Sequence, residues 1–115
     1  MDKKDLNRLK HMLDAAQAVC QHILNKTPTD LEEDRLLLGG VIRELLLIGE
    51  AANAISPQSK EKISEIPWKK VIGMRNQLIH GYFDISHRII WSTVTEDIPV
   101  LIAILEKVIH SNKLD

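Results

Sequence analysis

A chain of 115 residues, 44% hydrophobic but only 3% aromatic, is long enough for one domain, and its core must be built from Leu, Ile, Val and Ala, which suits helices. Its lone cysteine, Cys20, excludes an internal disulfide and a cysteine-rich metal site and fits a reducing compartment. A net charge of -1 excludes a global basic field, no apolar run reaches the ~20 residues that cross a bilayer, and the N-terminus MDKKDLNRLK lacks the apolar stretch of a signal peptide, so a soluble cytoplasmic protein without membrane contact is expected.

Residues 2–26 place Leu6, Leu9, Leu13, Ala16, Cys20 and Ile23 at a helical period. Thr27-Pro28 ends that helix. Thr29 and Glu32 have the spacing of a capping box, opening a second helix that runs to about Ile55. Ser56-Pro57 caps a short third helix over about 57–64. Pro67 opens a fourth, WKKVIGMRNQLIH, which fails at Gly81. Ser86 caps a fifth, about 87–111, where Pro99 must kink the axis or interrupt a hydrogen bond. No strand alternation, internal repeat or low-complexity tract appears. The predicted fold is an all-α antiparallel bundle of four to five helices, one domain over 1–115.

The second helix is apolar on two sides. Leu38, Val41, Leu45, Ile48 and Ala52 form one stripe, and Leu36, Gly40, Leu47 and Ala51 another roughly opposite. Either other helices of the same chain surround it, or a second copy covers the extra face, and a homodimer is the expectation. Gly39 and Gly40 each cost ~1 kcal/mol relative to alanine inside a helix, which the close approach of another helix could offset.

The fourth helix carries the chemistry. With Val71 at the origin of a helical wheel, Met74, Leu78, Ile79 and Ile72 span an apolar arc, and Arg75 falls at about 40°, in its middle. An unpaired charge there costs several kcal/mol, so Arg75 needs a partner: an acid, for which Glu50 is the nominee, or an anionic ligand. Asn76 and His80 are four apart and share a face, so Asn76 can orient the imidazole. His80 lies about 140° from Arg75 on an ideal helix, too far round for one straight helix to aim both at one point. The helix end at Gly81, or a second copy across a two-fold axis, could repair this.

Imidazole and guanidinium in an apolar cleft suit RNA cleavage without metal. Histidine moves protons to and from the 2′-hydroxyl and the leaving oxygen near neutral pH, and guanidinium neutralises the charge that develops on phosphorus. Nothing in the chain reads as a nucleophile elbow, a phosphate-binding loop, a carboxylate pair or an HxH or HExxH metal site, so neither cofactor nor metal is expected. His11, His22 and His110 read as ordinary amphipathic-helix residues. Residues 66–91 carry Lys69, Lys70, Arg75 and Arg88 against Asp84 alone, a local basic segment in which Lys69, Lys70 and Arg88 are candidate RNA contacts.

Arg75-Asn76-x3-His80-x-Tyr82 resembles the R-x4-H-x-Y motif of HEPN-domain ribonucleases. The blocks LIGEAAN (47–53), IPWKKVIGMRNQLIHGYFDI (66–85) and IIWSTVTEDIPVL (89–101) are similar to the HepT toxin group, over most of the chain from about residue 30 onward. The resemblance implies a dimer of HEPN-like helical bundles whose motifs meet in a cleft at the interface. It implies metal-independent endoribonuclease activity, against transfer RNA in the group, with Arg75 and His80 catalytic and Asn76 in support. It also implies a type VII-like toxin–antitoxin pair, in which an MntA-like minimal nucleotidyltransferase antitoxin attaches AMP to Tyr82. The other reading is a non-catalytic helical subunit that serves a nucleotidyltransferase as a binding module.

Overall fold

A computed structural model describes residues 1–81 and 85–114, with the backbone only at 113 and 114. Helix α1 (Lys3–His22) opens on Asp2, whose side chain accepts from Asp5 N at 2.9 Å. Its buried face, Leu9, Met12, Ala16 and Val19, follows the expected period. The turn after it passes through Asn25 at φ 62°, a left-handed conformation that asparagine tolerates better than most residues.

Two helices stand where one was predicted. Helix α2 covers Pro28–Glu33 and α3 covers Arg35–Ala54. Between them Asp34 is extended (φ -96°, ψ 104°), and its carboxylate accepts from both Leu36 N and Leu37 N at 3.1 Å. Aspartate offers the backbone an alternative to the helical ladder, and here that alternative wins. The capping box lies two residues earlier than Thr29–Glu32. Thr27 Oγ1 accepts from Asp30 N at 3.1 Å, and Asp30 accepts from Thr27 N at 2.9 Å, with Pro28 in the first turn, where no N–H is needed.

Helix α4 (Pro57–Lys62) is capped by Ser56 as expected, and α5 (Trp68–Gly81) follows. Trp68 fixes the start of α5 on the end of α4, its indole N–H donating to the Lys60 and Ile63 carbonyls at 3.1 and 3.0 Å. Helix α6 (His87–Ser92), capped by Ser86, continues through a π-helical turn over Thr93–Asp97 into α7 (Ile98–Leu114). Ile98 N bonds Thr93 O, a five-residue step immediately before Pro99. The wider turn takes up the proline, which has no N–H and crowds the preceding carbonyls, so helical structure survives the interruption.

Helix α1 packs against α3 and α7, and α5 packs on the other flank of α3. A single cluster including Leu9, Met12, Val41, Leu45, Leu78 and Leu105 fills the interior. Each large side chain buried there contributes ~1.5–3 kcal/mol. The seam between α5 and α7 is an apolar cleft with Leu45 and Ile48 of α3 among its lining residues, and Lys70 of α5 reaches Asp97 at 3.0 Å beside it. Among the described residues there is no strand, and no helix is long and apolar enough to cross a membrane.

The stripe Val41, Leu45, Ile48 and Ala52 is buried, and Leu38 is half-buried. The opposite stripe is covered only in part: Gly40 and Ala51 are half-buried, while Leu36 is 90% exposed and Leu47 43% exposed. Gly40 accommodates the His22 ring, 3.1 Å from where a Cβ would stand, whereas Gly39 has nothing within 4 Å. Among the described residues the expected helix contact at Gly39 is therefore absent, and at Gly40 it is a single side chain.

One polar group holds the bundle from inside. Asp5 continues the buried face of α1 one turn before Leu9 and is 1% exposed. Its carboxylate accepts from Ser56 N (3.2 Å), Ser56 Oγ (2.6 Å) and Ser59 Oγ (2.7 Å), with Arg8 at 3.4 Å, tying α1 to the start of α4. The serine hydroxyls, more than the basic neighbour, lower its pKa to about 2.

Candidate active site

Arg75 sits on the flank of α5 that faces α3. Its side chain is 24% exposed, and its Nε and Nη2 donate to Glu50 Oε1 at 3.1 and 2.9 Å. The acid nominated to offset a charge on an apolar arc is the one that meets it. Nη1 donates to Asn76 Oδ1 at 2.8 Å. Asn76 thus supports the guanidinium, where support of the His80 imidazole was expected.

His80 is exposed on a different face. Among the described residues, no hydrogen bond joins it to Arg75 or Asn76. It still lies within α5, so the end of the helix does not turn it toward Arg75. A single chain therefore assembles Arg75, Asn76 and Glu50 and leaves His80 apart. Ile79, placed on the apolar arc by periodicity, is 48% exposed, and Leu78 is the one residue of α5 that is fully buried. Tyr82 lies outside the described residues.

The three candidate RNA contacts differ. Lys70 is engaged with Asp97, which holds α5 near the π-helical turn. Lys69 and Arg88 are exposed. Lys69, Gly73, Asn76 and His80 recur at the spacing of one helical face, and a Cβ on Gly73 would meet nothing within 4 Å. Cys20 is half-buried and burial raises its pKa, the environment of an unreactive thiol. Among the described residues, no three His, Cys, Asp or Glu side chains group as metal ligands.

Sequence reading missed Gly49, which lies buried under Arg75. A Cβ built there would overlap Arg75 Cβ and stand 2.7 Å from its Cγ. A glycine next to a pairing acid on a helix otherwise rich in leucine is a weak signal, and only the spacing of α3 and α5 shows which glycine matters.

Residues 12–108 match the family model described as Ribonuclease HepT-like. The chain belongs to the HepT-like ribonuclease family. The match begins earlier than the motif blocks suggested and takes in most of α1. A protein of Caldanaerobacter subterraneus subsp. tengcongensis that bears an RNase name is 33% identical over 105 residues, 91% of this chain and 94% of that one. A protein of Methanocaldococcus jannaschii, also bearing an RNase name, is 35% identical over 100 residues, 86% of this chain and 92% of that one. A Thermococcus cleftensis protein named as a ribonuclease HepT is 48% identical over 67 residues, 58% of this chain and 61% of that one. No solved structure gives a significant match. The enzyme class anticipated from the Arg75–His80 motif, a ribonuclease, is the class of this family.

Proposed function

We propose that this HepT-like chain is the toxin of a toxin–antitoxin pair, a homodimeric endoribonuclease that cuts RNA, with transfer RNA the expected substrate, by metal-independent chemistry. The observation that carries the reading is the arrangement on α5: Arg75 is held against α3 while His80 stands exposed on another face. Neither group completes a site alone. A second copy laid against α5 brings imidazole and guanidinium from two chains to one cleft. The uncovered residues Leu36, Leu47 and Ile79, and the open faces of Gly39 and Gly73, give such a copy apolar surface and room to approach.

In that cleft a His80 imidazole takes the proton of the 2′-hydroxyl, whose oxygen attacks the adjacent phosphorus. The Arg75 guanidinium bears on the charged oxygens of phosphorus, and an imidazolium returns a proton to the departing 5′-oxygen. The new bond is O2′–P, the broken one P–O5′, and the products are a 2′,3′-cyclic phosphate and a 5′-hydroxyl. The deciding experiment digests RNA in excess chelator and weighs the enzyme by light scattering. Cleavage with cyclic-phosphate ends by a particle of twice 13.1 kDa is expected. Strict magnesium dependence, or a cleaving monomer, rejects the reading.

Control of the toxin falls to Tyr82. A minimal nucleotidyltransferase antitoxin attaching AMP to its hydroxyl would set an anion two residues from His80, where it competes for the guanidinium with substrate phosphate. A tyrosine hydroxyl, with a pKa near 10, is poorly matched to proton transfer at neutral pH. Tyr82→Phe is therefore expected to keep cleavage and to escape silencing by the partner enzyme. Silencing of the phenylalanine variant assigns the handle elsewhere.

The Arg75–Glu50 pair also fits a binding module in which the arginine is purely structural. Such a module loses affinity for its partner, and no turnover, when His80 is removed.

A further inference from the structure

The guanidinium of Arg75 has five N–H groups. Glu50 Oε1 occupies the Nε one and one on Nη2, and Asn76 Oδ1 occupies one on Nη1. Among the described residues this leaves one N–H on each terminal nitrogen. Two donors on the ends of a rigid planar fork are what a phosphate accepts bidentately. The arginine is held by its other edge.

Its stem is held as well. Arg75 Cβ and Cγ lie in the space that a side chain at position 49 would fill, and Arg75 Cα would stand only 3.4 Å from such a Cβ. Gly49 is buried in the middle of α3, where glycine costs ~1 kcal/mol against alanine, and the close passage of Arg75 accounts for it. The magnitudes separate holding from stabilising. Glu50 is 52% exposed, and an ion pair so open to water contributes ~0–1 kcal/mol to folding. A displacement of about 1 Å in a group that must meet a transition state costs ~10²-fold in rate.

We propose that Gly49 and Glu50 of α3 are positioning residues for Arg75, the glycine admitting its stem and the carboxylate gripping one edge of its guanidinium, so that two N–H groups face substrate phosphate. This rests on the reading of Arg75 as the group that stabilises the phosphate charge.

The test measures kcat and KM of RNA cleavage, with thermal unfolding in parallel, for Glu50→Ala, Glu50→Gln and Gly49→Ala. Glu50→Ala is expected to lower kcat by about 10- to 100-fold with little change in unfolding temperature, because position is lost and little stability with it. Glu50→Gln keeps an oxygen acceptor on the same stem and should recover kcat to within about 5-fold of the parent. Gly49→Ala should lower kcat at least as far as Glu50→Ala, and it should also lower stability. Its loss alone decides nothing if the variant unfolds, so the Glu50 pair carries the decision. If Arg75→Ala is inactive while Glu50→Ala keeps the parent kcat, the positioning role is overturned and the catalytic arginine stands. If Glu50→Ala raises kcat/KM, the carboxylate competes with substrate and the role is likewise overturned. If Glu50→Gln is as damaged as Glu50→Ala, charge and not held geometry is at work, which also overturns it. Activity retained by Arg75→Ala removes the reading on which the proposal stands.

Discussion

Replacing His80 with alanine is expected to lower RNA cleavage by at least ~10²-fold and to leave the bundle folded. The two halves of that result have separate causes. The side chain is exposed near the end of α5 and makes no hydrogen bond among the described residues, so its removal falls among surface changes worth less than about 0.5 kcal/mol. Positioned proton transfer, by contrast, contributes ~10²–10⁴-fold in rate. Arg75→Ala should lose a similar factor, since one donor group aimed at developing charge contributes ~10²–10³. It should also lose some stability, because the stem that fills the space over Gly49 goes with it. Initial rates on RNA and circular dichroism of both variants check this. In cells, the parent chain should arrest growth and leave RNA fragments, and His80→Ala should do neither. A folded His80→Ala protein that cleaves at the parent rate sinks the proton-transfer role, whereas a parent chain with no cleavage to lose leaves the binding module.

The largest effect on stability is expected at the buried Asp5. Asp5→Ala should lower the free energy of unfolding by about 2–4 kcal/mol, a large part of the ~5–15 kcal/mol that holds a domain together. The loss is larger than one hydrogen bond because Ser56 N–H, Ser56 Oγ and Ser59 Oγ all donate to this carboxylate, and removing it strands donors in a part-buried place. The pH dependence has a definite sign. Folding lowers the Asp5 pKa from 3.8 to about 2, so the folded state favours the charged form. The stabilisation, roughly 2 kcal/mol, is complete above the unfolded value and fades as pH falls from about 4 through about 2. Urea unfolding of the parent and of Asp5→Asn should therefore differ at pH 6 and converge on acidification. A difference that holds constant down to pH about 2 contradicts the assignment, which depends on ionisation.

Local chemistry determined much of this protein from sequence alone. The helical periods of α1, α3 and α5 and the serine caps of α4 and α6 needed no tertiary information, because each depends on residues within a turn or two of one another. The Arg75–Glu50 pair was legible for a different reason: a charge on an apolar arc is so costly that an acid on the facing helix had to be nominated. Where two local solutions compete, sequence was not enough. Thr27–Asp30 and Thr29–Glu32 both have capping spacing, and only the structure shows the first in use and an extended Asp34 splitting the predicted helix. Pro99 announced an interrupted hydrogen bond, but only the structure shows the interruption absorbed in a π-helical turn. Asp5 reads as one more surface acid until the chain brings it residues 51 and 54 positions away. Gly39, Gly40, Gly49 and Gly73 are indistinguishable as letters. Only the gap between α3 and α5 makes a Cβ intolerable at Gly49, because steric exclusion acts over a few ångströms between segments that the sequence separates by a whole helix.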